Sequence, residues 1–156
     1  MNLQFDYLGN QTRFLPPLLD AMHEHWRLVL HTMGKSREDF AESLKDRCRI
    51  GSLPTALVAY EGNQVLGTSA LKPQDLDIRP QLTPWLGGMF VLPQHRGRGI
   101  GALLVSKTIA EARRLGLTQL YLWTPASESL YARHGWAVME RTRCHDLQIC
   151  IMHQRL

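Results

Sequence analysis

Gly97, Gly99 and Gly101 alternate with Arg96, Arg98 and Ile100 just after an apolar run has broken at Pro93 and where a helical pattern begins. That order of residues suits the binding of an anion. Glycine backbone approaches a ligand without a Cβ in the way, and the first turn of a helix presents unpaired N–H groups at the positive end of its dipole. Two guanidinium groups add fixed positive charge beside those donors. The ligand implied is a phosphate compound. A Walker A loop would need Gly-x-x-x-x-Gly-Lys-Ser/Thr, which the chain lacks, and a dinucleotide fingerprint would need Gly-x-Gly-x-x-Gly with an acidic residue about 20 positions on. The spacing here is Gly97-x-Gly99-x-Gly101.

The elements that must position this turn are legible on both sides of it. Trp85 to Leu92 is a nearly continuous apolar run, as expected of a strand buried on both faces. From about Gly99 a helix is predicted to Leu115, with Ala102, Val105, Ile109 and Ala112 on one face, stopped by Gly116. Leu120 to Thr124 is a second apolar strand, so the three form a right-handed crossover between parallel neighbours. Upstream, Leu3 to Leu8 reads as a strand, and Leu15, Leu18, Leu19, Met22, Trp26, Val29 and Leu30 recur at helical spacing. A second helix begins at Ser36, whose hydroxyl caps it with Asp39 three residues on, and Phe40, Leu44 and Cys48 form its apolar face. Thr55–Tyr60 and Gln64–Leu71 form a hairpin around Glu61-Gly62-Asn63, and Lys72 to Thr83 is a loop. Ser127 caps a short helix that ends at Gly135, and Trp136–Arg143 and Leu147–Gln154 close the chain as a hairpin. The fold class is mixed α/β (α+β): a mostly antiparallel sheet flanked by helices, with one parallel βαβ unit.

With 156 residues, 44% hydrophobic and 21% charged, the chain is sized and composed for one globular domain, 1–156. Its longest apolar run, about nine residues, falls far short of the roughly 20 that span a bilayer, and no secretory leader is visible at the N-terminus. A cytoplasmic location and no membrane partner are the expectation. The net charge of +4 favours anionic ligands in general, but the arginines are scattered, so nucleic acid is not singled out. His23 and His25 point to different faces of a helix, and no third ligand is marked by spacing, so no metal site is expected. Cys48, Cys144 and Cys150 make neither a disulfide framework nor a zinc cluster. Cys144 and Cys150 fall on neighbouring strands, with nothing to fix their register.

Arg96-Gly97-Arg98-Gly99-Ile100-Gly101 resembles the Arg/Gln-x-x-Gly-x-Gly/Ala motif of the GCN5-related N-acetyltransferases (GNAT family). Ser129-Leu130-Tyr131-Ala132-Arg133-His134-Gly135-Trp136 is similar to that family's Tyr-x-x-x-Gly-Phe/Trp segment. The order of elements resembles the family fold from end to end. The resemblance implies acetyl-coenzyme A as co-substrate, with Met89, Phe90 and Val91 offering backbone groups to its pantetheine arm like an added strand. Arg96 through Gly101, with Ala102 opening the helix, would cradle the pyrophosphate. Tyr131 matches the tyrosine that serves many members as general acid: an amine attacks the thioester, and the departing thiolate takes a proton. A phenol with a pKa near 10 can protonate that sulfur without being ionised at neutral pH.

The chain departs from the family where many members carry a glutamate, since Trp85 to Val91 has no acidic residue. Asp75 and Asp77 in the preceding loop, and Glu24 or His25 on the first helix, are the candidates to receive a proton, and an aspartate would also hold a cationic acceptor. The segment from Asp75 to Leu86, with His25-Trp26, is similar to a bacterial subgroup of the family, and Trp26 and Trp85 are candidate aromatic walls of the acceptor site. The activity implied is transfer of acetyl to a primary amine, in the first place of a small molecule, by direct attack in a ternary complex. A protein or peptide N-acetyltransferase, a coenzyme A-binding module without catalysis, or a basic nucleic-acid-binding module, is the alternative. An exposed last strand would allow pairing with a second copy.

Overall fold

The computed structural model describes residues 2–156, and its strands form one seven-stranded sheet in the order β1-β2-β3-β4-β5-β7-β6. These are β1 (Gln4–Tyr7), β2 (Thr55–Glu61), β3 (Gln64–Lys72), β4 (Trp85–Val91), β5 (Gln119–Thr124), β6 (Ala137–Cys144) and β7 (Leu147–Arg155). All neighbours pair antiparallel except β4 and β5. The helices are α1 (Leu15–Thr32), α2 (Arg37–Asp46), α3 (Ile100–Arg114) and the short α4 (Glu128–Ala132). The fold class read from the pattern holds, and so do its element types.

Each helix lies where its apolar stripe dictates. Leu18 and Met22 of α1 and Phe40 and Leu44 of α2 pack with Val58, Ala70 and Phe90 on one face of the sheet. On the other face Val105, Ile109 and Ala112 of α3 meet Leu71, Leu86, Leu120 and Leu122. The capping box predicted at Ser36 is present, the Ser36 hydroxyl accepting from the Asp39 N–H and the Asp39 carboxylate from the Ser36 N–H. The cap predicted at Ser127 is not. Thr124 Oγ1 accepts instead from the N–H groups of Ala126 (3.3 Å) and Ser127 (2.9 Å), tying the end of β5 to the start of α4.

One expectation about the last hairpin changes, and a register left open is fixed. The last strand, β7, lies between β5 and β6, so it offers no edge; β6 is the edge strand, with Val138 and Met139 exposed on it. The register pairs Arg141 with Cys150 and Cys144 with Leu147, so Cys144 and Cys150 do not face each other, and both are free thiols. The turn between them places His145 and Asp146 at φ +48° and +69°, the left-handed conformation that a two-residue hairpin turn demands at both positions. Among the described residues no helix is long and apolar enough to cross a membrane.

Candidate active site

β4 and β5 share only the register pair Trp85–Tyr121, and then diverge. β4 stays paired with β3 as far as Val91, and β5 stays paired with β7 along its whole length. The parting of the two strands therefore frees the inner edge of β4 from Gly87 onward. A cavity of about 540 Å³ fills the gap, lined by β4 from Leu86 to Val91, by Leu122 to Ser127, and by the glycine turn. A parallel pair that splays in the middle of a sheet leaves backbone N–H and C=O groups without strand partners, and such groups require a ligand or water.

The turn itself meets the requirement of an anion cradle. Gly97 and Gly99 both adopt φ +78°, a left-handed conformation that costs other residues strain, and open space surrounds the place of a Cβ at each. Gly99 caps α3 without any side-chain hydrogen bond, so the N–H groups of the first turn are left free. Gly101 faces β4, where its missing side chain leaves Met89 Cε only 3.1 Å from the position of a Cβ. Arg96 lies across the mouth, its Nε donating to the Val91 carbonyl at 2.9 Å and its guanidinium 5.5 Å from the Phe90 ring centre. These residues fit a pyrophosphate followed by an extended amide-bearing arm.

Met89, Phe90, Val91, Arg96, Gly97, Gly99, Ile100, Gly101 and Tyr131 all line this one cavity, and Trp26 and Asp75 join them from α1 and the loop after β3. Arg98 and Ala102 do not line it. Arg98 turns its guanidinium to Glu61 Oε1, 2.9 Å away on the β2–β3 hairpin, so its charge is partly compensated. Trp85 is fully buried, its indole N–H donating to the Leu82 carbonyl at 2.7 Å, and packs with Leu76, Ile149 and Ile151. It cannot wall an acceptor site. Asp77 lies outside the cavity as well, 2.8 Å from His145 Nε2 at the tip of the last hairpin, and that hydrogen bond holds its carboxyl below the usual aspartate range. Glu24 is exposed beside Arg27, away from the cavity.

Tyr131 is buried against Trp136, ring centres 6.2 Å apart, and burial pushes its phenol up to about 12. Among the described residues nothing hydrogen-bonds its hydroxyl, and the residue lines the cavity. His25 stands at the rim, packed on Trp26 and 5.3 Å from Phe90; partial burial, then the charge of Arg96, draws its imidazole below the ordinary histidine value. Asp75 accepts from Lys72 Nζ at 2.6 Å and from Trp123 Nε1 at 3.1 Å. Trp123, 6.4 Å from Trp26, closes the wall opposite α1. Neither Trp123 nor the buried Arg47 behind Gly88 stands out in the sequence, since one is a single residue of an apolar strand and the other a lone cation past a helix end.

The family model of the acetyltransferase (GNAT) family matches residues 19–136. The chain belongs to the GNAT family. It is an acetyltransferase, and the acetyl donor of such enzymes is acetyl-coenzyme A. No curated protein sequence matches it. Among solved structures it is similar to an acetyltransferase from Streptococcus agalactiae at 20% identity, with 99% of this chain and 98% of that one covered and a TM-score of 0.73. It is also similar to yncA from Salmonella typhimurium, solved with its cofactor acetyl-CoA, at 16% identity, 99% and 94% coverage and a TM-score of 0.70. An aminoglycoside 6'-N-acetyltransferase complexed with coenzyme A matches at 16% identity, 99% and 97% coverage and a TM-score of 0.73. At these identities the likeness is one of fold.

Proposed function

We propose that this GNAT acetyltransferase acts on the primary amine of a small molecule, with the donor in the β4–β5 gap and the acceptor between α1, Asp75 and Trp123. The observation that carries the reading is the one cavity that the free edge of β4, the uncapped start of α3 and Tyr131 all line. Acetyl-coenzyme A supplies the thioester whose acetyl group is transferred. The chain supplies the rest. Backbone of Met89 to Val91 extends along the pantetheine arm, and the first turn of α3 with Arg96 holds the pyrophosphate.

Proton movement falls to two side chains. His25, depressed below its ordinary value, is neutral at pH 7 and accepts the proton that the attacking amine loses. Tyr131 stays protonated through the same range and donates to the leaving sulfur, since burial favours the uncharged phenol. Asp75 faces the amine and Trp26 and Trp123 flank it. A walled cavity supports a metabolite-sized acceptor over a peptide. To test the reading, purified protein is mixed with acetyl-coenzyme A and a panel of primary amines, and thiol release is followed alongside mass spectrometry of the products. Acetyl-amine formation is expected; thiol release that is the same with and without every amine would sink it.

A further inference from the structure

Behind the acceptor wall, and among the described residues, sits a charge that no carboxylate meets in a salt bridge. Arg47 follows α2 and is 4% exposed. Its Nη2 donates to Ser43 Oγ at 3.3 Å, while Nε and Nη1 are buried and hydrogen-bond to nothing among the described residues. A guanidinium keeps its charge under all ordinary conditions and needs its N–H groups paired once water is removed. Two unpaired nitrogens in the interior are costly, and an apolar side chain of similar size would fill the place without that cost.

The sequence makes deliberate room for this group. Gly88, at φ +58°, lines the cavity, and a Cβ there would collide with Arg47 Nη1. At the adjoining Gly87 a Cβ would fall 2.8 Å from Asp75 Oδ2. Consecutive glycines on β4 thus leave room for the Asp75 carboxylate in the cavity lining and for the Arg47 guanidinium directly behind it. The two groups do not join in an ion pair; Asp75 is held by Lys72 at 2.6 Å instead. The Asp75 carboxylate is thus shared between Lys72 in contact and Arg47 at longer range, and one positive charge of the three groups is left over. An acceptor bringing only an ammonium would add a second uncompensated positive charge, whereas an amine with its own carboxylate would bring the missing negative one.

We infer that the acceptor is an amino carboxylate, of the α-amino acid class, whose carboxylate lies against Gly88 and is drawn there by the charge of Arg47 directly behind it, while its amine faces Asp75. This rests on the acetyl-transfer reading of the cavity. Arg47 is a specificity residue here, not a catalytic one.

The test pairs each of several α-amino acids with the amine left when its carboxyl group is removed, and measures kcat and KM for wild type, Arg47→Lys and Arg47→Met at saturating acetyl-coenzyme A. Wild type should favour the carboxylate-bearing member about tenfold or more in kcat/KM, chiefly through KM. The preference should shrink in Arg47→Lys and vanish in Arg47→Met, with the thermal midpoint of Arg47→Met not lowered, because the replaced charge was unpaired. Equal use of both members by wild type overturns the proposal, and so does a preference that persists in Arg47→Met. Acetylation of neither member, while coenzyme A still raises the thermal midpoint of wild type, overturns it and leaves the donor reading standing. Loss of that thermal shift as well fails the acetyl-transfer reading itself.

Discussion

On the donor side of the cavity the chain offers backbone: the free edge of β4, the glycines at 97, 99 and 101, and the uncapped first turn of α3. On the acceptor side it offers side chains, His25 and Trp26 from α1, Asp75 from a loop and Trp123 from β5, with Arg47 from beyond α2 behind them. A backbone site is fixed by a short contiguous run, because the positive φ values and the helix start are local properties. A side-chain site is fixed by tertiary packing, and its chemistry changes with any one of its contributing elements. One half can therefore serve a single donor while the other is free to select different acceptors.

Tyr131 belongs to both halves, and its loss should have the largest effect. Tyr131→Phe keeps the packing against Trp136 and removes only the hydroxyl, so kcat should fall by about 10²-fold or more with the KM for acetyl-coenzyme A little changed. With the phenol pushed up to about 12, wild type should show no alkaline decline from this group up to about pH 10. The deficit of the variant should narrow above roughly pH 8.5, where a thiol leaves without needing a proton. Rate profiles from pH 6 to pH 10 check both points, and a deficit that is constant with pH would assign Tyr131 to positioning instead.

Asp75→Asn tests the acceptor half alone. The amide keeps an oxygen for Lys72 but drops the charge facing the amine, so the acceptor KM should rise about tenfold, in line with the loss of one hydrogen bond to a charged group. The KM for acetyl-coenzyme A should stay within about twofold. A parallel rise in both constants would show that the halves are coupled through β4, where Asp75 rests against Gly87.

Gly99→Val tests the donor half, with Gly116→Val as its control. Both glycines have positive φ, +78° and +81°, and open space where a Cβ would go, so both variants carry about 1–3 kcal/mol of backbone strain. Only Gly99 lines the cavity. The KM for acetyl-coenzyme A should rise several-fold, up to about tenfold, in Gly99→Val and stay unchanged in Gly116→Val, with similar losses in thermal midpoint for the two. Equal kinetic effects would mean that strain, not the cradle, is what the assay detects.

The same division decides how much the sequence reveals. The strand, the glycine turn, the helix and Tyr131 are contiguous signals, and the structure brings all of them to one cavity. The acceptor residues are scattered, and two of those the sequence offers, Trp85 and Asp77, lie outside the cavity. Trp85 alternates into the core because its strand is buried on both faces, and pattern alone cannot say which aromatic of an apolar run reaches a cavity. Arg98 keeps its place in the turn, yet spends its side chain on Glu61 of a distant hairpin, a pairing no local spacing announces. The unpaired state of Arg47 and the two glycines that accommodate it emerge only once α2 is packed beneath β4.

Asp77 marks where the acceptor half ends, and it should give the smallest effect. Two aspartates separated by a single residue look equivalent in the sequence, yet one lines the cavity and the other turns to the hairpin tip. Asp77 accepts from His145 and its side chain is 63% exposed, so solvent screens the pair and little stability depends on it. Its carboxyl is depressed, so whatever it contributes is present at neutral pH and is lost as the pH falls through its folded value, below the ordinary aspartate range. Asp77→Asn keeps an acceptor for the imidazole N–H. Both KM values should remain within about twofold of wild type and the thermal midpoint within a few degrees at pH 7, the magnitude of an exposed pair. An acceptor KM raised as far as in Asp75→Asn would extend the acceptor surface to the last hairpin, making His145 and Cys144 its next residues to test.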